Sequence, residues 1–123
     1  MKDRMLRGEL YIAGDRELRI ELARAQALLE RYNHTTHVEQ DERDRLLREL
    51  LGAVGEGVVV KPTLRCDYGT PITIGAYCQL ATRVQLLTAT HPIDPEPRRI
   101  GWEYGQPITG GRTVNCVGGL WIV

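Results

Sequence analysis

The sequence predicts a mainly β fold: a coiled parallel β-helix of hexapeptide units, preceded by a helical N-terminal segment. Two patterns lead there. Residues 74–91 divide into three six-residue units. Each opens with an aliphatic residue (Ile74, Leu80, Leu86) and carries a small or β-branched residue four places later (Cys78, Val84, Thr90). A period of six fits neither the 3.6 of a helix nor the 2 of a strand, but it suits a coil whose faces each take one unit. The second pattern is a return: Pro71-Ile72-Thr73-Ile74-Gly75 reappears as Pro107-Ile108-Thr109-Gly110-Gly111, 36 residues or six units later. The chain therefore resumes its phase after an excursion. Gly110 falls where an inward aliphatic residue is expected, which removes a buried side chain worth about 1.5–3 kcal/mol.

In chain order, Gly8 and Gly14 bound a short segment around Leu10-Tyr11. Asp15 is a natural N-cap for a helix whose apolar residues Leu18, Leu22, Ala25, Leu29 and Tyr32 recur at spacings of three and four. The polar run 32–36 connects it to a second helix from about Asp41 to Leu51, with Leu46, Leu47, Leu50 and Leu51 as its stripe and Gly52 and Gly55 as its stop. Two such helices cannot bury both stripes on each other, so they are expected to cap the open apolar end of the coil. Stepping back by six from Ile74 puts Tyr68 and Pro62 at inward positions, with Pro62 beginning the coil. Pro92 to Tyr104 breaks the period and reads as a projecting surface loop. The expected organisation is a helical segment over 1–57 and a partial β-helix over 58–123, with fewer than two full coils before that loop.

At 123 residues with zero net charge, the chain carries no basic stripe for nucleic acid. It has no N-terminal apolar run and no span of 18 apolar residues, so a soluble cytoplasmic protein with no membrane partner is expected. Three cysteines without CxxC spacing argue against a disulfide framework or a zinc site. Cys66 and Cys78 are expected as small buried hydrophobes.

The strings Gly8-Glu9-Leu10-Tyr11, Arg31-Tyr32-Asn33, Cys66-Asp67-Tyr68-Gly69 and Thr88-Ala89-Thr90-His91-Pro92-Ile93-Asp94 resemble the maltose and galactoside O-acetyltransferases, nearest the maltose branch. The resemblance runs to about Ile108. It implies a left-handed parallel β-helix, a homotrimer with active sites between subunits, and acetyl-CoA as donor to a hydroxyl of maltose, glucose or a related sugar. Three departures stand out. Only Thr70 separates Gly69 from Pro71, where the family has about one further coil carrying an acceptor-binding Asn and an Asp. Asn115-Cys116 replaces a Trp expected against the cofactor. The chain stops at Val123, before the coils that grip coenzyme A. The expectation is thus a truncated, internally deleted member.

Acetylating a sugar hydroxyl requires a base at neutral pH, which a neutral imidazole supplies. His91 matches the family's catalytic His; without that context it reads as a surface-loop His beside Pro92. Asp67 and Asp15 fall in segments that contact the acceptor in the family, and carboxylates accept bonds from sugar hydroxyls. Asp15 reads equally as a helix N-cap and Asp67 as a turn residue. Glu103 reads as a loop charge, with orientation of His91 as its functional alternative. His34 and His37 fall in the helix connector, and Arg98-Arg99 read as a solvated loop pair, with coenzyme A phosphates as their functional alternative. No cofactor-binding residue is assigned and no metal is expected. A γ-type carbonic anhydrase needs three His on the coil, which here offers only His91. The remaining alternative is a chain that serves as an interaction module without turnover.

Overall fold

The computed structural model describes residues 1–116 and, as backbone, 120–122. Val117-Gly118-Gly119 of the departing motif lie outside the described residues. The N-terminal part is α1 (Lys2–Leu6), β1 (Tyr11–Ile12), α2 (Arg16–Asn33) and α3 (Gln40–Leu50). α1 was not anticipated. α2 starts where Asp15 places it, with Asp15 Oδ2 accepting from the Leu18 amide at 3.4 Å. α3 begins just before the expected Asp41, because Glu39 is its N-cap; the Glu39 carboxylate reaches back to the Thr36 amide at 2.8 Å.

The coil then runs as β2 (Ala53–Val54), β3 (Val59–Val60), β4 (Leu64–Cys66), β5 (Ile72–Ile74), β6 (Gln79–Leu80) and β7 (Val84–Leu87). After an excursion containing β8 (Ala89–Thr90), α4 (Pro95–Ile100) and β9 (Trp102–Gly105), it resumes as β10 (Ile108–Gly110), β11 (Asn115–Cys116) and β12 (Leu120–Ile122). These coil strands form three parallel sheets, ordered β10-β5-β2, β11-β6-β3 and β12-β7-β4. Each sheet is one face and each level of three strands is one coil. The 36-residue return is observed directly, since Ile108, Thr109 and Gly110 pair with Ile72, Thr73 and Ile74.

Two expectations about the coil are corrected. It starts at Ala53, ahead of Val58, so two complete coils precede the excursion instead of fewer than two. Stepping back by six also fails below Ile74. The pairs Ala53↔Thr73, Val59↔Gln79 and Leu64↔Val84 all lie 20 apart, two more than three hexapeptides. The two extra residues sit in the corner between β4 and β5, which holds Asp67-Tyr68-Gly69-Thr70. The inward residues of the first coil are therefore Val60, Leu64 and Cys66, while Pro62 lies outside the core. Gly69 is required at that corner, since its φ is 81° and a Cβ there would collide with the Leu50 carbonyl oxygen.

Ile74, Leu80 and Leu86 are buried, as are Ile72, Cys78 and Val84. All three cysteines are free and buried. As expected, α2 and α3 cap the open end: Ala25, Leu28, Leu29, Tyr32, Leu46, Leu47 and Leu50 share one core with the coil interior. Full burial of each such leucine contributes about 1.5–3 kcal/mol. Side-chain amides of α2 also satisfy the exposed edge of β4. Asn33 Oδ1 accepts from the Leu64 amide at 2.9 Å and its Nδ2 donates to the Leu64 carbonyl at 3.0 Å. Gln26 Nε2 donates to the carbonyls of Cys66 and Asp67. An edge strand so occupied is closed to another chain.

The region expected as a projecting loop is ordered secondary structure. Asp94 caps α4 by accepting from the Glu96 amide, Pro95 opens it, and Gly101 ends it at φ 102°. β9 then pairs antiparallel with β1 on one side and β8 on the other.

Candidate active site

Both breaks in the hexapeptide phase fall at one corner of the coil. Cys66 pairs with Leu86, so the corner beginning at Asp67 lies against the point where the second coil departs at Thr88. Asp67 Oδ2 accepts from the Ala89 amide at 3.3 Å, which ties the two together. Burial is the main influence on the Asp67 carboxyl and raises its pKa; the Ala89 and Thr88 amides and His91 oppose it.

The antiparallel sheet builds the rest. Tyr11 stands opposite Glu103, and Thr90 opposite Tyr104. Continuing the second register by one residue sets His91 opposite Glu103. Tyr11, Glu103 and His91 thus form a row across the sheet. Tyr11 Oη donates to Glu103 Oε2 at 3.0 Å, and Glu103 Oε1 lies 3.7 Å from His91 Nδ1. The His91 side chain is 62% exposed, whereas that of Glu103 is 19% exposed. An open groove of about 460 Å³ contains His91, Glu103, Asp67 and Tyr68, with Ala13 and Leu22 on its wall.

The structure therefore brings His91 and Asp67 into one groove. Asp15 caps α2 and is not among the residues lining it; Ala13 and Leu22, on either side of Asp15 in sequence, are. Glu103 is a half-buried strand residue with two partners, not a loop charge. No local pattern marks it, because its neighbours come from β1 and β8. Arg99 pairs with Glu96 within α4 at 2.6 Å, consistent with a surface pair. His34 Nδ1 lies 2.7 Å from the Glu30 carbonyl, and His34 is not among the residues lining the groove. A second groove of the same volume, between α3 and the first coil, includes His37, Arg43 and Lys61 but no acid–base pair like His91 and Glu103. Among the described residues no three His, Cys, Asp or Glu side chains converge as a metal ion requires.

The chain is 37% identical to Nodulation protein L of Rhizobium meliloti, over 99% of this chain and 78% of that protein. Residues 4–55 match the family described as maltose acetyltransferase hexapeptide capping motif. The crystal structure of a maltose O-acetyltransferase from Clostridium difficile superposes with TM-score 0.74 at 32% identity, covering 93% of this chain and 75% of that one. This chain belongs to the sugar O-acetyltransferase family. A hexapeptide-repeat acetyltransferase from Vibrio cholerae, solved with acetyl coenzyme A, shares the fold at TM-score 0.73 and 23% identity, covering 93% of this chain and 79% of that one. Within this family of acetyltransferases the chain is compact. Its alignment with the Rhizobium protein spans 142 positions against 123 residues here, so at least 19 positions of that relative have no counterpart. That difference is close to one coil of three hexapeptides, a unit whose loss leaves the facing of every remaining strand unchanged.

Proposed function

We propose that this chain transfers an acetyl group from acetyl-CoA to a hydroxyl of a sugar, with His91 as general base. The observation that carries it is the row Tyr11–Glu103–His91 beside Asp67 in one groove. With Nδ1 turned toward Glu103, His91 Nε2 is left to take the proton of the acceptor hydroxyl. The hydroxyl oxygen bonds to the thioester carbonyl carbon, the carbon–sulfur bond breaks, and the proton passes from His91 to the departing thiolate. Glu103 orients the imidazole and stabilises its charged form. Asp67, already bonded to the Ala89 amide, has a second carboxylate oxygen to accept from a neighbouring sugar hydroxyl. Asp15 acts here through its cap, which sets the groove wall at Ala13 and Leu22.

Donor and acceptor are supported differently. The Vibrio cholerae protein of the same fold was solved with acetyl coenzyme A. The Clostridium difficile relative is called a maltose O-acetyltransferase, while the Rhizobium meliloti relative carries no sugar in its name. The acceptor is therefore assigned as a class, with maltose, glucose and galactosides as test substrates. The left-handed winding of the coil and a homotrimer belong to the same proposal.

Release of free coenzyme A thiol from acetyl-CoA, dependent on added sugar, is the expected activity. His91→Ala is expected to lower the rate by about 10²–10⁴-fold with an unchanged circular dichroism spectrum. Equal rates in the two proteins would remove His91 from the chemistry. Sugar-independent thiol release would mean hydrolysis of the thioester in place of transfer, and no release would favour an interaction module.

A further inference from the structure

We propose that Tyr11 is a positioning residue for acetyl transfer: its hydroxyl holds the Glu103 carboxylate against His91, fixing the imidazole tautomer that leaves Nε2 free. This rests on the function proposed above. The geometry divides the two carboxylate oxygens of Glu103, Oε2 to the Tyr11 hydroxyl at 3.0 Å and Oε1 toward His91 Nδ1 at 3.7 Å. The second distance exceeds a hydrogen bond, as is common before substrate closes an active site. A carboxylate held at one oxygen has its other oxygen aimed; one free at both rotates.

Tyr11 is suited to that task. It is fully buried, on a strand whose register sets it directly opposite Glu103. Burial and then the Glu103 charge push its phenol pKa far up, so the hydroxyl remains a donor. The other groups around this point do not substitute for it. Asp67 accepts from the Ala89 amide, and the Tyr68 phenol, pushed up to about 12 by burial and then by the Glu103 charge, meets the Tyr11 hydroxyl in the cluster with Met5 and Leu18, while the direct hydrogen bond to Glu103 comes from Tyr11. Residues flanking Glu103 on β9 alternate to the opposite face, where Arg4 lies over the Trp102 ring at 5.7 Å. Among the described residues, His91 is the one ion-pair partner of Glu103. The sheet thus links the N-terminal segment to the base through one hydroxyl.

Tyr11→Phe removes that hydroxyl and keeps the buried ring. The full chain, Tyr11→Phe, Glu103→Gln and the double variant are compared for kcat and KM, and His91 is observed by ¹⁵N NMR. Tyr11→Phe is expected to lower kcat about tenfold, and Glu103→Gln about 10- to 100-fold, with both KM values unchanged. The double variant is expected to be no slower than Glu103→Gln, since Tyr11 acts through Glu103. The ¹⁵N shifts are expected to show the Nδ1–H tautomer in the full chain and a mixture in Tyr11→Phe. Multiplied losses in the double variant, or Tyr11→Phe with unchanged ¹⁵N shifts, would overturn the assignment. If the full chain transfers no acetyl group, the functional proposal fails, while the ¹⁵N comparison still decides the role of Tyr11.

Discussion

At the scale of single residues, Asp67 shows how one side chain serves structure and site together. Its carboxyl bonds the amide of the strand that carries His91, and burial raises its pKa despite that bond. The sign of the stability effect follows. A carboxyl whose folded pKa exceeds its unfolded value prefers the neutral form in the folded state. Its contribution is fully present below the unfolded value and is lost as pH rises through the folded one. Asp67→Asn retains an acceptor for the Ala89 amide but cannot ionise. The melting temperature of Asp67→Asn minus that of the unaltered chain should therefore rise with pH from about 4 and then level off. A flat difference across that range would mean the carboxyl titrates normally, without a cost of burial. Glu103 teaches the converse: beside a surface-looking Tyr104 in sequence, it is half-buried because partners on two other strands enclose it.

At the scale of elements, the third coil is registered on the second, but with a gap where Gly110 faces the interior below Ile74. A void of about 10 Å³ is lined there by Ile74, Leu86 and Gly110, among others. Gly110 lies in strand β10, a conformation open to any L residue. Gly110→Ala should stabilise the chain by about 0.4–1 kcal/mol, mainly by restricting the unfolded state. The check is a higher denaturant midpoint with an unchanged slope. A lower midpoint would show that the void does not admit a methyl group. The coil corners display the same regularity. Gly57, Tyr77 and Thr113 hold equivalent corner positions in successive coils, each at a positive φ of 60–68°. The Tyr77 ring lies where a Gly57 side chain would be and is itself covered by Arg112 at 5.1 Å.

At the scale of the whole molecule, the groove is walled on one side by Ala13, Leu22, Tyr68 and the antiparallel sheet, while His91 faces outward. In the proposed homotrimer a neighbouring copy would supply the other wall. The chain is therefore expected to sediment at three times its 13.9 kDa mass, with transferase activity falling on dilution below the association range. A monomer with full activity would contradict this. Three stacked coils, two of them uninterrupted, meet the number of repeats at which stacking outweighs chain entropy.

What the sequence determined by itself is everything carried by local periodicity. The inward positions Ile74, Leu80 and Leu86, the 36-residue return, the Asp15 cap and the leucine stripes of both helices were legible because each is set by near neighbours along the chain. The corner break was legible in principle: the phase fails once at Asp67–Thr70 and again after Leu87, and both failures meet at the groove. What only the tertiary structure decided is the antiparallel sheet that joins Tyr11, Glu103 and His91. Its strands are short, and β1 joins from 92 residues before Glu103 while β8 and β9 are separated by α4, so no local propensity specifies them. Their pairing forms only after the coil and the helical cap have brought those segments together, and for that reason His91 was legible in the sequence, Glu103 only as an alternative to a loop charge, and Tyr11 not at all.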